Sequence, residues 1–132
     1  MNKLIRNSLL IMLVSILVGC AVSADRIRRT GSKEMQLISA TRPLVYSCIL
    51  QQTKVSTSSP GWFEGYEVVE NKNSIQLKSG DITVRVYDLE DWVGGTMVTI
   101  YVDATGIYMK EAKLIIDFCR KQLESQKLHT NP

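Results

Sequence analysis

A chain of 132 residues, 45% apolar and 22% charged, holds enough material for one small domain and too little for two. Its formal net charge is +3, and two of its cations, Lys3 and Arg6, stand at the extreme N-terminus, so the remainder is close to neutral. That balance excludes the strongly basic face expected of a nucleic-acid binder.

After Lys3 and Arg6 comes an apolar run, Leu9 to Val18, interrupted only by Ser15 and ending in Leu17-Val18-Gly19-Cys20. It falls short of the roughly 20 apolar residues that a membrane crossing needs. A charged start, a short apolar core and a small residue at its end describe an export signal. The segment resembles a bacterial lipoprotein signal peptide with its lipobox. The resemblance implies that residues 1–19 are removed and that Cys20 receives diacylglycerol and, in all, three acyl chains such as palmitate. More than one chain makes such anchoring stable. Ala21, rather than Asp, follows the cysteine. In a Gram-negative cell this implies transfer to the outer membrane, facing the periplasm. A plain secretory cut after Ala24 is the competing expectation, although Val22-Ser23-Ala24, with Val in its first position, fits an A-x-A site only loosely.

Residues 20–40 read as a tether. It is locally basic, with Arg26, Arg28, Arg29 and Lys33 set against Asp25 and Glu34. A solvated linker is the plainer reading and contact with anionic headgroups the sharper one. Part of it, Lys33 to Ala40, has some helical character. A single domain is expected over 41–127.

Thr41-Arg42-Pro43 looks like a helix start, with Thr41 as cap and Pro43 in the first turn, where an amide is not missed. Leu44, Val45, Cys48, Ile49 and Gln52 then share one side. Residues 53–61 are rich in Ser, Thr and Pro and read as a loop. From Gly65 the period changes to two. Strands are expected at 66–70, 74–78, 82–87 and 96–102, with turns at 71–73 and 79–81 and a longer connection over 88–95. Tyr108, Ala112, Ile115, Ile116, Cys119 and Leu123 form the stripe of a second helix ending by Lys127. The tail, 128–132, is expected to fray. The fold class is α+β: a two-layer sandwich in which an antiparallel sheet of three to four strands carries an N-terminal and a C-terminal helix on one face. The other face is expected to be open, with Arg85, Tyr87 and Tyr101 on it.

With Cys20 committed to lipid, Cys48 and Cys119 remain. Exported chains live in an oxidising compartment, and two cysteines allow one intramolecular pairing. A Cys48–Cys119 disulfide closing about 70 residues is worth about 4 kcal/mol in the chain-entropy view. Two buried free thiols are the alternative. His129, the sole histidine, sits in the tail, so neither a metal nor a cofactor is expected.

Asp88, Glu90, Asp91 and Trp92, followed by Gly94-Gly95, form the most pointed local cluster. A calcium loop needs more oxygen ligands at regular spacing and a closing Glu. Glycosidase carboxylates face each other across a cleft. The cluster therefore reads as a hairpin loop with partner-binding potential. Trp62, Phe63, Tyr66 and Tyr87 form an aromatic group, with Phe63 assigned to the core. There is no Gly-x-Ser-x-Gly and no histidine placed to activate a nucleophile, so an enzyme is not expected.

These readings converge on a lipid-anchored envelope protein that binds another envelope protein. Two alternatives stay open. One is an inhibitor of a hydrolase such as lysozyme. Size, lipobox and paired cysteines resemble periplasmic lysozyme inhibitors, but Ser79-Gly80-Asp81 lacks their serine-glycine-tyrosine style loop, so no residues carry over. The other is a phage or plasmid exclusion factor.

Overall fold

A computed structural model describes Lys3, Arg6, Asn7 and residues 23–103 and 106–130. Cys20, most of the expected signal, and residues 131–132 lie outside them. The described elements are α1 (Ala24–Thr30), β1 (Ser32–Ile38), α2 (Arg42–Ser58), β2 (Glu67–Glu70), β3 (Ser74–Ser79), β4 (Ile82–Trp92), β5 (Gly95–Val102) and α3 (Gly106–Thr130). The strands make one antiparallel sheet of five, in the order β1-β5-β4-β3-β2. The class is α+β as expected. The sheet is larger than the three to four strands expected, because β1 joins its edge.

One face of the sheet and helices α2 and α3 enclose the main core. Val45 and Ile49 from α2 and Ala112, Ile116 and Cys119 from α3 pack on Ile75, Tyr87, Val98 and Ile100. The α3 stripe and the alternation of Val98, Ile100 and Val102 fall where the sequence places them. Cys48 on α2 and Cys119 on α3 form the disulfide, with Cα atoms 5.8 Å apart across 71 residues of chain. It ties helix to helix over the sheet.

Four expectations need correction. The first is the tether. Over 24–38 the chain forms α1 and β1, and β1 pairs with β5 from Ser32↔Val102 to Ile38↔Thr96. Ser23 caps α1, its side chain accepting from the Arg26 amide. The strand is hard to see because its pattern is inverted. Glu34 and Gln36 face the helices, where Lys113 (3.0 Å) and Arg120 (2.6 Å) meet them. Met35 and Leu37 stand on the opposite, exposed face.

The second correction concerns α2, which continues to Ser58. The hydroxyls that read as loop signals bond back inside the helix: Thr53 Oγ1 donates to the Ile49 carbonyl at 2.7 Å and Ser58 Oγ to that of Lys54 at 2.9 Å. Thr41 is the cap residue, but its side chain makes no capping bond.

The third concerns the open face. Arg85, Tyr87 and Leu89 point to α2 and α3, while Val86 and Asp88 point to the other side. A bulge at the Leu77/Lys78 register shift inverts the simple alternation read from Ile82 onward. The second face is not bare either. Helix α1 lies on it, burying Ile27 and bonding Asp88 through Arg28.

The fourth concerns the tail: α3 runs on through residues 128–130. Among the described residues, no helix is long and apolar enough to cross a membrane.

Candidate functional site

The segment 88–95, expected to be a loop, is a tight hairpin. β4 runs to Trp92, β5 starts at Gly95, and Val93-Gly94 alone make the turn. A two-residue turn needs a left-handed backbone, and Gly94 supplies it at φ 89°. Strand alternation then divides the four residues singled out in the sequence between two faces.

Asp88, Glu90 and Trp92 fall on the α1 side. Asp88 is engaged by α1. Arg28 grips both its oxygens, with Nε donating at 2.8 Å and Nη2 at 2.7 Å, while Nη1 reaches Asp25 at 3.2 Å. This fork raises the Arg28 pKa above its ordinary value, chiefly through the hydrogen bonds to Asp88. Asp88 therefore holds α1 to the sheet. Glu90 and Trp92 are exposed, Trp92 at 49%.

Asp91 falls on the other side. It lies 3.7 Å from Arg42, the first residue of α2. The two border a cavity of about 720 Å³ that Leu44, Leu123, Ser39 and Gly95 also line. Of the four residues, Asp91 alone meets this concave surface. The cavity combines one carboxylate and one guanidinium with apolar and uncharged polar side chains.

A buried cluster went unnoticed in the sequence. Arg85 is wholly buried, its guanidinium carbon 5.3 Å from the Phe63 ring centre and 5.7 Å from that of Tyr87. Its Nη1 donates to Tyr87 Oη at 3.0 Å and to Glu111 Oε1 at 3.4 Å. Glu111 Oε1 also accepts from Ser56 Oγ at 2.8 Å. Arg85 Nε and Nη2 are buried and find no partner among the described residues. Burial is the main cause that raises the Tyr87 pKa. Above the cluster, the Tyr66 and Tyr108 hydroxyls stand 3.4 Å apart, and that contact, with burial, pushes Tyr108 up to about 12. The aromatic group Phe63, Tyr66 and Tyr87 was visible in the sequence, but nothing there joined Arg85 or Glu111 to it. Because Arg85 is closed in between rings, the cluster locks α2, α3 and the 61–65 turn together. Trp62 points outward from that turn, 83% exposed, while Phe63 is buried as expected.

Among the described residues, no group of three His, Cys, Asp or Glu is placed to hold a metal ion. The chain matches no protein-family model, no curated protein and no solved structure.

Proposed function

We propose that this chain is a lipid-anchored cell-envelope protein, held at the periplasmic side of an outer membrane through acyl chains on Cys20. In this reading it acts as a non-catalytic module that binds another envelope protein. The observation that carries the reading is Leu17-Val18-Gly19-Cys20 at the end of a charged and then apolar leader. Two structural facts support it. The Cys48–Cys119 disulfide suits an oxidising compartment such as the periplasm. A secretory cut after Ala24 would remove Ser23, the residue that caps α1, together with the first residue of that helix.

The binding surface in this reading is the cavity beside the hairpin, with Asp91 and Arg42 at its rim. Tethering keeps the domain in a thin layer near one membrane, so a modest affinity suffices there. The test is capture from crosslinked cells, comparing the intact lipoprotein with Cys20→Ser and Asp91→Lys forms by mass spectrometry. One envelope protein enriched with the intact form and depleted with both variants supports the module. No enrichment above background removes the stable-partner reading. A captured wall hydrolase moves the function to the inhibitor alternative.

A further inference from the structure

The geometry points to the α1-bearing face of the sheet as the surface by which the domain lies on an anionic lipid leaflet. In this arrangement Arg26, Arg29 and Lys33 meet headgroups, and Met35, Leu37 and Trp92 meet the acyl boundary. The inference rests on the anchor at Cys20 proposed above. It adds an orientation that the anchor alone does not dictate.

The first ground is reach. A flexible linker of about 20 residues has a root-mean-square span of about 25 Å and imposes no orientation. The chain has no such linker among its described residues, because Ser23 already caps α1. Only Ala21 and Val22 lie between Cys20 and Ser23. Three Cα steps extend to about 11 Å at most. Helix α1 cannot swing out to lengthen this leash, since Ile27 is buried beneath it and Arg28 is forked onto Asp88. An acylated Cys20 thus brings the leaflet up to the face on which α1 lies.

The second ground is what that face carries. Direct cross-strand pairing sets three rows on it: Lys33–Tyr101–Val86, Met35–Thr99–Asp88 and Leu37–Met97–Glu90. Helix α1 lies at the Val86–Asp88 end. Beyond it, Met35 is 48% exposed and Leu37 40%, with Trp92 and Val93 following at the hairpin tip. The opposite face, by contrast, buries its apolar residues under α2 and α3. From Lys33 to Leu37 this bare strip runs about 13 Å along the strand. A tryptophan beside apolar residues is the composition favoured at a membrane interface.

The third ground is charge. Arg26 and Arg29 are exposed on α1 at a spacing that puts both on one ridge, and Lys33 follows at the start of β1. None of the three makes an ion pair among the described residues. On this side Asp25 and Asp88 are held by Arg28, Asp81 borders the hollow at the start of α1 together with Lys78, and Glu90 stands towards the hairpin end. Arg26, Arg29 and Lys33 thus run along α1 and into β1 within 13 residues of Cys20, on the side where an anionic leaflet is closest.

The chain's two tryptophans supply the test. Trp92 is on the proposed face. Trp62 is exposed on the turn that inserts Phe63 against Tyr108 of α3. The full chain, made in a Gram-negative host and extracted from membranes, is weighed intact and then reconstituted into phosphatidylcholine–phosphatidylglycerol vesicles with brominated acyl chains. Trp62→Phe leaves Trp92 as reporter, and Trp92→Phe leaves Trp62. The expected result is fractional quenching at least about twofold greater for Trp92 than for Trp62, as an interfacial position requires. Arg26→Glu/Arg29→Glu/Lys33→Glu, or omission of phosphatidylglycerol, should narrow that difference. Equal quenching, or deeper quenching of Trp62, in protein whose mass includes acyl chains overturns the orientation and leaves the anchor standing. An unquenched Trp92 that a crosslinker ties to a second copy or another protein also overturns it. An unacylated mass fails the anchor reading and the orientation together.

Discussion

Reducing the Cys48–Cys119 bond should cost this domain a large part of its stability. The bond closes 71 residues of chain between α2 and α3. In the chain-entropy view a loop of that length withholds about 4 kcal/mol from the unfolded ensemble. A domain of about 110 residues unfolds with an entropy of about 0.23 kcal/mol/K, so the loss translates to a fall in Tm of about 15–20 °C. Reduction is a cleaner perturbation than substitution. Cys119 is wholly buried, and truncating it would add a cavity to the lost crosslink. The assay is a pair of thermal melts on the domain beginning at Ala21, one oxidised and one unfolded, reduced and refolded under reductant. Omitting Cys20 leaves no third thiol to exchange. A reduced form melting within about 5 °C of the oxidised one would mean that a crosslink of this span is not constraining the unfolded chain.

Three further outcomes test the packing. Glu111→Ala should lower stability by about 2–3 kcal/mol in urea titration, below the 3–5 kcal/mol of a fully buried pair because Glu111 keeps some exposure. Arg85→Met should cost less, since it leaves no charge stranded between Phe63 and Tyr87; the reverse order contradicts the account. Tyr108 gains its proton affinity in the fold, from an ordinary 10.0 to about 12. The stability it contributes is therefore complete below pH 10 and lost as pH rises through about 12. Urea midpoints should fall across that window, and Tyr108→Phe should flatten the decline. Asp88→Asn should loosen α1 alone, with amide exchange in 24–30 rising about fivefold for the roughly 1 kcal/mol of a half-exposed forked pair. Unchanged exchange there would mean that Arg28 does not hold the helix.

Legibility in the sequence followed the direction of burial. Helix α3 was readable because Ala112, Ile116 and Cys119 repeat on one side and all are wholly buried. Strand β5 was readable because Val98, Ile100 and Val102 face the core while Met97, Thr99 and Tyr101 face away from it. Strand β1 was hidden because Glu34 and Gln36 face α3 and are satisfied by Lys113 and Arg120, contacts about 80 residues distant that no local period reveals. The C-terminal half of α2 was hidden because its hydroxyls find helix carbonyls instead of water. In β4, a single bulge moved Arg85 and Tyr87 from the expected open face to the core. The cluster Asp88, Glu90, Asp91 and Trp92 was legible as a group but not as two faces. Without the hairpin register, Asp88 as a helix clamp and Asp91 as a cavity rim look alike.

The anchor at Cys20 carries the functional account, and the intact mass of the membrane-extracted protein tests it most directly. The expected species is a chain beginning at Cys20 and heavier than its amino acids by a diacylglycerol and an amide-linked acyl group, with the addition lost in Cys20→Ser. A chain beginning at Asp25, or an uncut chain at its unmodified mass, would contradict it.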